Sequence, residues 1–370
     1  MNALQSILPV ENPLNNLVEL LEAQNLDKKD MIMQGATLTY SGGKIWVNDG
    51  KQFGSIGYTP SELCHVQIAE KLKIPKAYYD RMLTSYPELL EYNINLWLRK
   101  DEKIKYMLRC FGNNGEGIAR AMLSDRFLRL DNYDVLFTAL EAIKSMNVNV
   151  KILRAEVTEK RMYLAVVCPD IELEAENFLR GYLKNNDAAG NGILSGLIIT
   201  NSEVGLGSFE IRPRAIIVKC NNGLIMKDDN YKRVHLGSKL DDGTIQWSEK
   251  TKDKNTQLVM SQVCDAVSTF LSPEYLGKMV ERIAEANNIQ LEHSIDAIQH
   301  VCKELSIGEE HKRKILKYFI EDGDTKASGI FQAITREAQN MGPDVQFEVE
   351  SGAFSLLPNI KKYDKPFSNN

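Results

Sequence analysis

The chain has 370 residues, with 45 Lys and Arg against 50 Asp and Glu, a formal net charge of −5. Apolar residues make up 43% and charged residues 26%, which excludes wholesale disorder, a collagen-like chain and a uniformly basic nucleic-acid binder. No apolar run approaches the roughly 20 residues of a membrane helix, and the first residues lack the pattern of a signal peptide. We therefore expect a cytoplasmic protein with no membrane partner.

The N-terminal part predicts a short helix, two strands and then three helices. Apolar spacing predicts a helix over 13–25, and strands over 31–40 and 44–58. The sequence Thr59-Pro60-Ser61-Glu62 resembles a capping box with Thr59 at the N-cap. Pro75 and Pro87 then open two further helices, the last reaching about Lys100.

The middle of the chain is rich in strands and the end is helical. Strands are predicted over 105–111, 118–124, 148–158, 161–168, 192–201 and 208–219, with one helix over 132–146, whereas 253–340 carries only helical patterns. We therefore predict an α+β fold with a largely antiparallel central sheet and flanking helices, followed by a helical C-terminal domain. The expected boundaries are 1–250 for the first domain, 251–358 for the second and 359–370 for a flexible tail.

The six cysteines predict neither a metal site nor a disulfide framework. They lie far apart and form no CxxC pair: Cys64, Cys110, Cys168, Cys220, Cys264 and Cys302. This spacing favours free, mostly buried thiols. We expect no cofactor.

The net charge conceals an asymmetry along the chain. Residues 98–239 contain 22 basic and 18 acidic residues, a net of +4, so the remainder carries −9. A local positive face can attract a polyanion even on an acidic protein. An ordinary scatter of solvated charge is the alternative explanation.

The densest group of polar and turn residues lies at 196–223. Gly205 and Gly207 resemble part of a phosphate loop, but they join two strands and lack the helix that a dinucleotide site requires. The turn is therefore either a structural hairpin or a place where Asn201, Ser202 and backbone N–H groups meet an anionic ligand. Glu203, in the same turn, is more typical of a turn or capping residue than of a catalyst.

A second polar segment covers residues 120–129. Arg126, Phe127 and Arg129 combine cations with an aromatic ring, the chemistry that grips phosphates while stacking a base. The alternative is structural, with Asp125 paired to Arg126 or Arg120.

Four short motifs follow one another along the chain in an order that is typical of one protein family. They are Ile74-Pro75-Lys76-Ala77-Tyr78-Tyr79, Ser124-Asp125-Arg126-Phe127, Asn201-Ser202-Glu203-Val204-Gly205 and Cys220-Asn221-Asn222-Gly223. As a set they resemble a phage/plasmid-like family of unknown function found on bacteriophages and mobile elements. The resemblance covers roughly residues 60–240 and implies a place in the cytoplasm of a bacterial host.

That context favours a nucleic-acid-binding protein of phage or mobile-element DNA metabolism, similar to single-strand annealing proteins. Such a protein would bind single-stranded DNA or another polyanion along a basic groove, as a homo-oligomer. The candidate binding residues are Arg120, Arg126, Phe127, Arg129, Asn201, Ser202, Arg212, Arg214, Lys219, Tyr231, Lys232 and Arg233, with Phe127 and Tyr231 for base stacking.

Two other functions stay open. The first is a metal-dependent hydrolase or nuclease that uses Glu203, Asp125 and His235, although their spacing indicates no particular reaction. The second is a structural or host-interaction protein that binds through its acidic helical end and touches no nucleic acid.

Overall fold

Two sheets organise the part of the chain that the structure describes. This computed structural model describes residues 13–47, 56–100, 103–112, 116–174, 192–217, 222–225, 230–233, 248–287 and 289–367. Within these ranges lie eleven α-helices and two six-stranded sheets. The predicted α+β class, with a helical C-terminal region, is confirmed.

The first sheet is mixed and belongs to the N-terminal part. Its order is β1-β5-β6-β4-β3-β2, with β4 parallel to β6 and every other pair antiparallel. The strands are β1 (Lys28–Gln34), β2 (Leu38–Ser41), β3 (Lys44–Val47), β4 (Ile56–Pro60), β5 (Lys105–Phe111) and β6 (Glu116–Ser124).

Three helices cover one face of this sheet: α2 (Glu62–Lys71), α3 (Lys76–Ser85) and α4 (Pro87–Lys100). Their apolar residues, such as Ile68, Met82 and Ile94, form one buried cluster with the inner face of the strands. Burying these side chains removes apolar area from water, which stabilises the layer by about 25 cal/mol per Å².

Local chemistry shifts two of the predicted N-terminal boundaries. Ser61, not Thr59, is the N-cap of α2: its side chain accepts a hydrogen bond from the backbone N–H of Cys64, and Thr59 belongs to β4. The predicted strand 31–40 is interrupted by a 3-10 turn, Gly35–Thr37. A Cβ at Gly35 would meet the carbonyl oxygen of Leu98, so only glycine permits this approach.

The second sheet is antiparallel in all its described pairs. Its order is β11-β10-β9-β8-β7, and β12 shares the outer edge of β10 with β11. The strands are β7 (Lys151–Val157), β8 (Met162–Glu174), β9 (Gly192–Asn201), β10 (Phe209–Ile217), β11 (Asn222–Ile225) and β12 (Tyr231–Arg233).

Both faces of the second sheet are covered, so every residue of β9 and β10 is buried. This explains why 192–201 reads as a nearly continuous apolar run, since a strand with only one buried face would alternate. The helices that surround it are α1 (Pro13–Asp27), α5 (Asn132–Ser145), α6 (Glu249–Phe270), α7 (Pro273–Asn287), α8 (Ser294–Glu304), α9 (Glu309–Asp322), α10 (Ala327–Ala338) and α11 (Pro343–Leu356).

The largest apolar core crosses the predicted domain boundary at residue 250. Val259 of α6 and Leu276 of α7 share one buried cluster with Leu197 of β9 and Leu136 of α5. The helical C-terminal region therefore packs directly on the second sheet.

The segment predicted as a flexible tail is packed as far as residue 367. A 3-10 helix, Leu357–Tyr363, buries Ile360, and the Asp364 carboxylate accepts backbone hydrogen bonds at the start of α8. The ring of Phe367 packs edge-on against His300. Within the described ranges, no helix is long and apolar enough to cross a membrane.

Gly196, in the middle of β9, tests how tightly the second sheet is packed. A Cβ there would overlap the carbonyl oxygen of Val166 on β8. We expect Gly196→Ala to lower the free energy of unfolding by about 1–3 kcal/mol, measured by urea denaturation. Gly277→Ala is the matched control because its Cβ meets nothing within 4 Å, and in α7 it should stabilise by up to about 1 kcal/mol.

Candidate functional site

The loop 202–208 connects β9 to β10 and holds the predicted anion-binding residues inside the protein. Asn201 and Ser202 are both 0% exposed. The Asn201 amide donates to the carbonyl oxygen of Leu130 and to Asn132, and the Ser202 hydroxyl donates to the carbonyl oxygen of Lys160. Both side chains therefore fix the loop and do not face a ligand in this structure.

Glu203 is used in the same way. One carboxylate oxygen accepts a hydrogen bond from the backbone N–H of Asn132 at 2.6 Å, and the other accepts one from the Arg120 guanidinium at 2.8 Å. It thus caps the N-terminus of α5 from a distant loop, where a negative charge also meets the positive end of the helix dipole. The expectation that Glu203 is a capping residue agrees with this geometry.

A buried ionic network extends from Glu203 into the first sheet. Arg109 of β5 is 1% exposed and contacts the carboxylates of Asp30 and Asp131 and the carbonyl oxygen of Glu203. Lys28 of β1 also binds Asp131. Three cations, Lys28, Arg109 and Arg120, therefore balance three carboxylates, Asp30, Asp131 and Glu203; we call this set the junction network.

The pairing decides the protonation states of Arg109 and Asp131. Burial alone would lower the pKa of Arg109, but the carboxylates of Glu203, Asp131 and Asp30 raise it, so the guanidinium stays charged. Burial would raise the pKa of Asp131, yet Arg109 and Lys28 hold it below its usual range. Arg109 and Asp131 therefore carry opposite charges that neutralise each other.

A shallow cleft of about 210 Å³ opens beside the junction network. Side chains of α1, β5, α5 and the network line it: Leu21, Gln24, Asn25, Lys28, Phe111, Asp131, Tyr133 and Glu203. Lys28, the one cation among these lining residues, already binds Asp131, and Glu203 binds Arg120, so the cleft is a poor site for a polyanion. Among the described residues, no group of three or more His, Cys, Asp and Glu could hold a metal ion.

The segment 124–130 packs against the outside of the same loop. Phe127 is 9% exposed and shares a small apolar cluster with Val204 and Leu123. The ring is therefore a packing group in this structure, whereas Arg126 and Arg129 on either side of it are exposed. Gln67 of α2 fastens the loop from the other side by donating to the carbonyl oxygen of Val204.

Arg212 and Arg214 of β10 lie on a buried polar face of the second sheet. Arg212 binds Glu210 of its own strand, and Arg214 contacts both oxygens of Glu350 at 3.1 and 3.2 Å. Helix α11 supplies Glu350, which is 0% exposed. Burial raises the pKa of Glu350 more than Arg214 lowers it. Both arginines are thus committed to internal carboxylates.

The predicted residues of β12 lie at the edge of the second sheet. The Tyr231 hydroxyl donates to Gln262 of α6, and Arg233 donates to Asn255 of the same helix. Lys232 is 51% exposed and contacts Glu210 at 3.0 Å. Lys219 and His235 lie outside the described residues.

The structure brings several of these cations to one end of the second sheet. We name the surface formed by residues 124–131, 158–161, 202–208 and 231–233 the basic end. Its segments are joined: Ser202 bonds to Lys160, Arg161 donates to the carbonyl oxygen of Leu206, and β12 pairs with Phe209–Ile211 of β10. The cations there are Arg126, Arg129, Lys160, Arg161, Lys232 and Arg233.

The acids of the basic end are fewer than its cations. Asp131 and Glu203 bind the cations of the junction network, so Asp125 and Glu159 are the remaining acids of these segments. Three more carboxylates reach in from neighbouring elements: Glu210 to Lys232 at 3.0 Å, Glu348 to Arg161 at 3.4 Å and Asp344 to the hydroxyl of Thr158 at 3.5 Å. Six cations therefore face five carboxylates, so the surface keeps a small excess of positive charge.

Sequence reasoning missed three residues that organise this region. Lys160 lies in the turn between β7 and β8, where no motif points to it. Asp131 stands in front of α5 and is typical of an N-cap, but it makes no side-chain cap bond and binds Arg109 instead. Arg109 did leave a signal, since a charged residue inside the apolar strand 105–111 requires a buried counter-charge.

Comparison with known proteins adds no assignment. No family model, no curated protein and no solved structure matches the chain. The resemblance to the phage/plasmid-like family stays a prediction based on the four motifs.

Replacing Arg109 should damage the fold more than replacing an exposed arginine. Arg109→Met removes the guanidinium from Asp30 and the Glu203 carbonyl and leaves Asp131 with Lys28 alone, so we expect a loss of about 3–5 kcal/mol in the free energy of unfolding. The control is Arg336→Met, whose pair with Asp322 at 3.7 Å is largely exposed and contributes less than about 1 kcal/mol. Equal losses in urea titrations of the two variants would contradict a structural junction network.

The depressed pKa of Asp131 makes the junction network sensitive to acid. A carboxyl whose folded pKa lies below its unfolded value of about 3.9 stabilises the fold above that pH, and this contribution is lost as the pH falls through the folded pKa. Urea midpoints should therefore drop below about pH 4. The slope should be shallower for Asp131→Asn, and an unchanged slope would show that Asp131 does not carry this pH dependence.

Proposed function

We propose that the protein binds a phosphate-rich polymer, with single-stranded DNA as the first candidate, across the basic end. The observation that carries the proposal is the convergence of exposed cations from three segments distant in sequence. Arg126, Arg129, Lys160 and Lys232 are all exposed there. Phosphate contacts of this kind bind without reading base sequence.

The layout of the second sheet suits a strand-like ligand. Neighbouring strands lie about 4.8 Å apart, and β12, β10, β9 and β8 follow one another across this end of the sheet. The cations of β12 and of the turn 158–161 are thus separated by three strand spacings, or roughly 14 Å. A row of charges of that length can follow the backbone of a single strand.

The proposed surface differs from the one inferred from the sequence. It keeps Arg126, Arg129, Lys232 and Arg233 and adds Lys160 and Arg161. It omits Arg120, Arg212 and Arg214 because buried carboxylates hold them, and it omits Asn201, Ser202 and Phe127 because the loop buries them. Tyr231 is half-buried beside Phe209 and bonded to Gln262, so a role in base stacking would require it to leave that bond.

The hydrolase or nuclease hypothesis gains no support from the described residues. Both oxygens of Glu203 are occupied by the backbone N–H of Asn132 and by Arg120. The carboxylate of Asp125 accepts the hydroxyl of Ser124 at 3.3 Å. A place in phage or mobile-element DNA metabolism fits the binding proposal but rests on the motif resemblance.

The proposal predicts a salt-dependent affinity for labelled oligothymidine, measured by fluorescence anisotropy. The logarithm of the affinity should fall with the logarithm of salt concentration by about 0.7 per phosphate contacted. Arg126→Ala combined with Lys232→Ala should weaken binding and reduce that slope by about 1 to 2.

The matched control is Lys278→Ala combined with Lys317→Ala. It removes the same charge from exposed positions of α7 and α9. This control should leave both affinity and slope unchanged, and thermal melts should show that both double variants fold. No binding at about 50 mM salt, or equal weakening by the control, would refute the proposal. Duplex DNA and RNA competitors identify the preferred polymer.

A further inference from the structure

Helix α4 exposes one face that no described part of the chain covers. Tyr86, directly before the helix, is 58% exposed, and Leu89, Tyr92, Leu96 and Trp97 are 41, 66, 52 and 39% exposed. With 3.6 residues per turn, these residues share one side of the helix. Monomeric proteins seldom expose contiguous apolar patches larger than a few hundred Å², and such patches commonly mark interaction sites.

The opposite face of α4 is firmly held, so the exposed face is presented by a rigid element. Leu90, Ile94 and Leu98 are at most 4% exposed in the core of the first sheet. On the flank, Asn95 exchanges hydrogen bonds with the backbone of Tyr40, at 2.8 and 2.7 Å.

The charges at the ends of the exposed face have opposite signs. Glu88 lies in the first turn, whereas Arg99 and Lys100 lie in the last. The stretch between them carries a single acid, Glu91, which is turned toward the loop after β2, where it binds Ser41 and Gly42. From the N-terminus to the C-terminus of the helix, the face therefore carries a negative charge, then apolar and aromatic side chains, and then positive charges.

We propose that this face of α4 binds the same face of a second copy of the chain, with the two helices antiparallel. Reversing the helix places Leu89 against Leu96 of the second copy, with Tyr92 near the twofold axis. In that register Glu88 faces position 97 of the second copy, two to three residues (about 3–4.5 Å along the axis) from Arg99 and Lys100, whose long side chains can reach it at both ends. A twofold interface requires such self-complementarity.

The charge pattern favours a second copy over an unrelated partner, because the face is complementary to its own reverse. A parallel arrangement would oppose like charges at each end, which is destabilising. The helix is about 21 Å long, so one face offers less than the roughly 800 Å² per partner of a standard interface. The dimer therefore dissociates on dilution. This inference does not depend on the proposed binding of a polyanion.

The test measures the mass of the full-length protein by sedimentation or light scattering between about 1 and 200 µM. The wild type should shift from monomer to dimer, and Leu96→Glu should weaken the dimer at least about tenfold by placing charge at the apolar centre. Ile320→Glu, on α9 and 67% exposed, is the control that should leave the dimer unchanged. Thermal melts confirm that each variant folds.

A charge exchange tests the antiparallel direction. Glu88→Lys alone and Lys100→Glu alone should each weaken the dimer by about two- to tenfold, since each pair occurs twice. The double variant carrying both changes should recover most of the wild-type affinity. The proposal is overturned if the wild type stays monomeric throughout or if the dimer persists in Leu96→Glu. It is also overturned if the dimer of the double variant is weakened by the combined effect of the two single changes.

Discussion

Six buried or half-buried charges neutralise one another where the first sheet meets α5 and the loop after β9. This requirement fixes the position of the two sheets relative to each other. An isolated ion in a protein interior costs several kcal/mol, so Arg109 can be buried only where Asp30, Asp131 and the Glu203 carbonyl all reach it. These partners come from β1, from the start of α5 and from the loop after β9. Satisfying one guanidinium therefore requires three separate parts of the chain to be in place at once.

The position of the basic end follows from that constraint. Glu203 anchors the loop 202–208 to α5, while Gln67 anchors it to α2. The turn 158–161 and the segment 124–130 are then bonded to the fixed loop. A ligand arriving at this surface would meet ordered backbone, so little conformational entropy would be lost on binding.

The sequence pattern predicts most of the helices and strands correctly, but it does not predict which polar side chains are buried. The strands of the second sheet and the helical end were predicted because period-2 and period-3.6 patterns report on which side chains are buried. Arg212 and Arg214 show the limit: their alternation with Ile211 and Ala215 is typical of a solvent-facing edge, yet α11 covers that face with Glu348 and Glu350. A local pattern cannot reveal a covering helix more than 130 residues later in the chain.

Residues 201–205 have the composition of a ligand-binding turn, although 201–204 are buried in a structural turn. Asn and Ser side chains and the backbone N–H groups of Gly bind anions at exposed turns, and Asn, Ser and Glu side chains also satisfy backbone groups where a turn is buried. Exposure distinguishes the two cases, and exposure is a tertiary property. Arg126 and Arg129 could be proposed from the sequence because two cations beside an aromatic ring are typical of phosphate binding with base stacking, although the ring itself, Phe127, is buried.

The junction network also restricts how this sequence can change over evolutionary time. Losing one charged member leaves its partners as unpaired charges in a medium of low dielectric constant, which lowers the stability of the fold. Exchanging a cation and a carboxylate together for a well-packed apolar pair can leave the stability nearly unchanged. Substitutions at these six positions should therefore be accepted in compensating pairs. Relatives of this chain would be expected to inherit Arg109, Asp131 and their partners as a unit or to lack them together.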